Sequence, residues 1–132
     1  MLASLSDSIR LSLHVLAATI WVGGQIVLAA LVPALRAAGS DVPRAAARAY
    51  NRIAWPAFAV LIVTGIWNIQ AEDDWHGSRL AVLNVKMALV LVSGVSAWAH
   101  TRATTKRGLA IGGALSGLSS LSVLVLGIVI AG

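Results

Sequence analysis

A chain of 132 residues in which 58% are hydrophobic and only 11% charged falls outside the ordinary soluble domain, where charged residues make up about 25%. The formal charge of +5 would suit a nucleic-acid binder, but the basic residues lie in two short loops between apolar blocks, a pattern that speaks for membrane orientation and against nucleic acid. The absence of cysteine excludes disulfides, thiolate metal sites and thiol redox chemistry.

Four apolar blocks approach the length of about 20 residues that a bilayer core demands of a helix. They predict transmembrane helices over 11–35, 53–69, 80–100 and 109–131. Helices are required because lipid leaves no partner for unpaired backbone groups, and the blocks lack the alternation of barrel strands. The first block has no positive n-region, and Pro33 and Arg36 follow it where a cleavage site would stand. It therefore reads as a retained helix rather than a signal peptide. It carries His14 about one turn inside, then Trp21, Gly23, Gly24 and Gln25. His14 and Trp21 are seven apart and share a face, and the glycines thin the helix so that a neighbour or a flat ligand can come close.

The first loop holds Arg36, Arg44, Arg48 and Arg52. Ser40 or Asp41 is placed to cap a short helix from Val42, with Pro43 in its first turn. The three arginines spaced by four share one face, as expected of a cytoplasmic extension of the second helix facing lipid phosphates. The second span carries Thr64 and Asn68 near its outer end, beside Trp67. The middle loop is acidic, with Glu72, Asp73 and Asp74 followed by Trp75, His76 and Arg79. The third span contains Asn84 and Lys86 and ends at His100, which reads as a solvated helix end. Trp55, Trp75 and Trp98 lie near span ends and fit an interfacial aromatic belt.

The third loop is basic, with Arg102, Lys106 and Arg107. The fourth span is rich in glycine and serine. Gly112 with Ser116, and Gly113 with Gly117, form small-xxx-small pairs that permit close helix packing, within one protomer or in a homodimer or larger membrane complex. Seven of the ten basic residues fall in the first and third loops, with Arg10 beside Asp7 in the amino-terminal tail, which places those loops in the cytoplasm and both termini outside. The predicted fold is all-α: one domain over residues 1–132, an integral membrane four-helix bundle in the lipid bilayer, N-out and C-out.

Ionisable residues inside a span are costly and ask for a reason. From helical rise, His14 lies roughly 5–8 Å below the outer interface, Lys86 roughly 9 Å, and Thr64 with Asn68 roughly 2–8 Å. These depths predict that the side chains converge. His14 is the leading candidate metal ligand, for copper, zinc or haem iron, with His76 as a second ligand from the outer loop. Lys86 would offer positive charge to a carboxylate, and Thr64 and Asn68 would be supporting donors. The bland alternatives are a histidine hydrogen-bonded to a neighbouring helix and a lysine whose stem reaches the interface.

The string from His14 through Trp21 to Gly23 and Gly24 resembles the first helix of the copper-resistance D family. Thr64-Gly65, the Gly77-Ser78-Arg79-Leu80 lead-in and Lys86 follow in that family's order, so the resemblance spans about 11–102. Proteins of that kind are usually longer, and the methionine- and histidine-rich outer motifs of a copper handler are missing here. The chain is also distantly similar to the HemJ type of protoporphyrinogen oxidase, with its first-helix histidine and later lysine. The resemblance implies a bacterial inner-membrane protein that binds or passes copper. Its alternative is a haem b-binding oxidoreductase with His14 as axial ligand and Trp21, Gly24, Thr64, Asn68 and Lys86 around the cofactor. A non-catalytic membrane subunit is the third expectation.

Overall fold

The structure is a computed structural model that describes residues 4–131. Its elements are α1 (Leu5–Ala18), a π-helical turn (Thr19–Gly23), α2 (Gly24–Ala38), α3 (Val42–Gln70), α4 (Gly77–Arg102) and α5 (Lys106–Ala131). The π-turn joins α1 to α2 in one 34-residue span, so four helices are long and apolar enough to cross a membrane. Each extends a few residues past the apolar block that announced it. Side chains such as Val63, Leu118 and Ile128 are about two-thirds exposed. Lipid is the solvent that such a surface requires. The chain is a multi-pass membrane protein.

Local chemistry sets the helix ends. Ser4 caps α1 by accepting from the Asp7 N–H at 3.1 Å. The helix expected from Val42 is the first part of α3, a single 29-residue helix with Pro43 in its opening turn. Asp41 stands at its start but makes no side-chain capping bond there. Gly77 opens α4 at φ 51°, a backbone angle that favours glycine. At α5 the Thr105 hydroxyl accepts from the Gly108 N–H at 3.0 Å.

The chain divides into two compact units, Met1–Asp73 and Asp74–Gly132. In the first, α1 runs antiparallel to α3, since His14 meets Thr64 while Tyr50 meets Ile20 and Trp21. The stripe Arg10, His14, Ala17, Trp21 on α1 thus opposes Asn68, Thr64, Leu61, Ala57 on α3. Ala17, Ala54 and Ala57 are buried in this seam. The alternating steps of three and four are those of helices packed at a shallow angle.

In the second unit α4 and α5 meet through small residues. A Cβ added at Gly112 would stand 2.9 Å from the Cβ of His100 and 3.1 Å from its Cα. Farther along the seam the Ser93 and Ser120 hydroxyls bond at 2.6 Å. Beyond them Lys86 lies over Gly127, its Nζ 3.3 Å from where a Cβ would be. Of the glycines singled out in the sequence, Gly113 faces the His100 ring, whereas a Cβ on Gly117 would meet nothing within 4 Å.

Candidate functional site

His14 projects from α1 into the seam of the first unit. Its Nδ1 lies 2.7 Å from the hydroxyl oxygen of Thr64, which is buried. That hydroxyl donates its one proton along its own helix to the Val60 carbonyl, at 2.7 Å. With the hydroxyl proton on that carbonyl, the proton between the two side chains comes from the imidazole, and with it turned toward His14 the ring accepts. In the first arrangement Nδ1 of the neutral ring carries the hydrogen and Nε2 the lone pair. An oxygen acceptor on one ring nitrogen is how a metal-binding histidine is oriented and made more basic at the other. Gly65, next to Thr64, leaves room for the imidazole edge, with His14 Cε1 3.7 Å from where a Cβ would stand.

Two turns along α1 the helix widens into the π-turn. Such a turn carries one residue more than the α-helix and disturbs the hydrogen-bond ladder, an expensive event in lipid. Side chains supply the added donors. The Tyr50 hydroxyl is shared between the Trp21 carbonyl at 2.9 Å and the Ile20 carbonyl at 3.1 Å. The Gln25 amide also donates to Trp21 O, at 2.9 Å. Gly24 makes this possible, because any Cβ there would collide with the Tyr50 ring. Trp21, 4% exposed, packs edge-on to Trp55 at 5.4 Å and against Phe58 at 4.4 Å. Trp55 thus belongs to an aromatic cluster with Trp21 and Phe58.

Asn68 lies one turn beyond Thr64 on the same face. Its Oδ1 is buried and has no hydrogen-bond partner among the described residues. Arg10, one turn before His14, donates from Nη2 to Asp7 at 2.9 Å, while its Nε is likewise buried without a partner among the described residues. Trp67 points largely outward.

The remaining candidates belong to the second unit. Lys86 is half-buried beside Gly127. Asn84 is exposed. His76 is exposed, its Nδ1 held by Asp74 at 2.8 Å. His100 is part-exposed at the helix end, where its Nδ1 donates to the Leu109 carbonyl at 2.8 Å and its ring and backbone fill the notch made by Gly112 and Gly113. Trp98 stacks with Arg102 at 4.7 Å, and Trp75 with Arg79 at 5.4 Å. The structure thus brings together His14, Thr64 and Gly65, and separately Trp21, Gly24, Gln25 and Tyr50. Tyr50 and Gly127 were not singled out in the sequence, and Arg10 enters there only as charge in the amino-terminal tail. The signal for Arg10 was the spacing Arg10, His14, Ala17, Trp21, and for Tyr50 a lone hydroxyl at the start of a span.

These features define an all-α multi-pass membrane protein with a histidine-centred polar seam in its first helical pair. No protein-family model, curated protein or solved structure matches the chain.

Proposed function

We propose that this protein handles a metal-containing group within the membrane through His14, and that the group is a haem rather than a bare copper ion. The observation that carries the reading is an imidazole held at Nδ1, 2.7 Å from the buried Thr64 hydroxyl, inside the α1–α3 seam. The number of donors favours the cofactor. Copper and zinc take about two to four protein ligands. Among the described residues no three His, Cys, Asp or Glu side chains gather, and the Met1–Asp73 unit has one histidine and no cysteine. Haem supplies four nitrogens of its own and requires only axial ligands, of which a single histidine suffices. When bound it would supply iron redox chemistry. His14 would hold it, and Thr64 would fix the imidazole. The likeness of the first-helix string to the copper-resistance D and HemJ families supports metal or haem handling in a bacterial inner membrane.

Copper binding is the second reading, and His76 favours it. Its Nδ1 is held by the Asp74 carboxylate, as the second nitrogen of a metal-binding histidine commonly is.

The test is the absorption spectrum and metal content of protein purified from membranes. A Soret band with iron, lost in His14→Ala, is the expected result. Copper without a Soret band supports the second reading. Neither metal overturns both and leaves a non-catalytic membrane subunit. The same reading places both ends and the Glu72–Arg79 loop outside. Single cysteines at Ser40, Ser78 and Thr104 test it, with only Ser78→Cys labelled by an impermeant reagent added outside.

A further inference from the structure

Two buried polar atoms in the first unit demand a partner that the described side chains do not supply. Arg10 Nε is a donor and Asn68 Oδ1 is an acceptor, and neither has a hydrogen bond among the described residues. They stand at one level. Arg10 precedes His14 by four residues, Asn68 follows Thr64 by four, and the two helices run antiparallel with His14 against Thr64. Both therefore lie about 6 Å from the His14–Thr64 bond, toward the amino-terminal end of α1. The guanidinium is held in place, since Asp7 binds its Nη2 and is itself fixed by Ser4 at 2.6 Å. Its side chain is 12% exposed.

The chemistry of the pair selects the occupant. One atom donates and the other accepts, so the bridging group must do both. Asp7 already balances the charge of Arg10, so a second anion would be repelled and a neutral oxygen favoured. A buried water needs two to four polar partners and is held wherever apolar surroundings leave such groups to satisfy. We propose that Arg10 and Asn68 bind water between α1 and α3, forming a hydrated notch that opens at the Ser4–Asp7 end and stops one turn short of His14. The notch brings water along the protein to within one helical turn of His14. Ser4, Asp7, Arg10 and Asn68 mark it, and the apolar faces of both helices lie outside it. The proposal is independent of what His14 holds.

The chain has no cysteine, so single thiols report without background. Only the thiolate reacts with a methanethiosulfonate, and apolar surroundings suppress it. In membranes, a small charged methanethiosulfonate should modify Asn68→Cys at least about tenfold faster than Ile66→Cys, which lies on the outward face of α3 at nearly the same depth. Exposed Ser78→Cys sets the upper rate. Equal slow rates at 68 and 66 overturn the proposal. Where Asn68→Cys does not fold, thermal unfolding of Arg10→Met, Asn68→Leu and the double variant decides. A shared water predicts that the double variant loses clearly less than the sum of the singles, and strict additivity overturns it.

Discussion

The two helical pairs solve the same problem by opposite means. Lipid provides no hydrophobic drive between helices, so association rests on close packing and on polar contacts. The α4–α5 pair uses smallness: Gly112 receives His100, Gly127 receives Lys86, and buried serines fill the seam between them. The α1–α3 pair uses specific pieces: an imidazole on a threonine, a tyrosine hydroxyl on two carbonyls, and a cluster of three aromatic rings. A seam of small residues specifies proximity alone. A seam of large, directional groups specifies positions, and a ligand needs positions. The candidate site accordingly lies in the first pair.

The sharpest way to break this contrast is at the glycines. Gly112→Ala forces a Cβ onto the backbone of His100, and Gly24→Ala forces one onto the Tyr50 ring. Each should cost about 1–3 kcal/mol, as overpacking does. Their rescue should differ. Tyr50→Ala should cost less in the Gly24→Ala background than in the parent, because the obstacle is a side chain. His100→Ala should bring little relief to Gly112→Ala, because Cα and Cβ remain in the way. Thermal unfolding in one detergent measures the coupling, and equal relief at both sites would erase the distinction.

Next in size is Tyr50→Phe. It removes the donor shared by the π-turn carbonyls while keeping the ring, and should cost about 1–3 kcal/mol. Tryptophan emission should shift with it, because Trp21 sits in that turn. Thr64→Val keeps the shape and should cost about 1 kcal/mol of stability. If His14 is a ligand, cofactor affinity should fall by about 10–100-fold in the same variant. A titration that finds unchanged affinity would remove Thr64 from the site. The smallest effect belongs to the second pair. The Ser93–Ser120 coupling, measured by Ser93→Ala, Ser120→Ala and both together, should be about 0.6 kcal/mol, the usual scale for such bonds between membrane helices.

The four spans were legible because hydropathy and length are properties of single segments. So was the continuation of α3 through Arg44, Arg48 and Arg52, where helix propensity is high and Pro43 stands in the first turn. His14 and Thr64 stood out as polar residues that lipid would penalise, and the structure joins them. Distance from a span end places Trp55 and His100 but does not reveal the ring or the glycine notch that each meets on a neighbouring helix. Arg10 was counted as tail charge, although it shares the face of His14. The π-turn left no trace in composition, since one surplus residue in a helix does not change hydropathy. Its companions, Gly24 and Tyr50, are 26 positions apart in sequence, so that no local pattern links them.

That surplus residue also sets the rotational phase of the whole first span. Each residue of an α-helix advances the side-chain direction by about 100°. A deletion within Thr19–Gly23 that restored the regular ladder would turn Leu5–Ala18 by about that angle relative to α2, and swing His14 off Thr64 without altering either residue. Lineages that keep both side chains but differ by one position in this turn would present different surfaces to the seam. In such a chain the length of the turn is as much a determinant of the histidine's partner as the histidine itself.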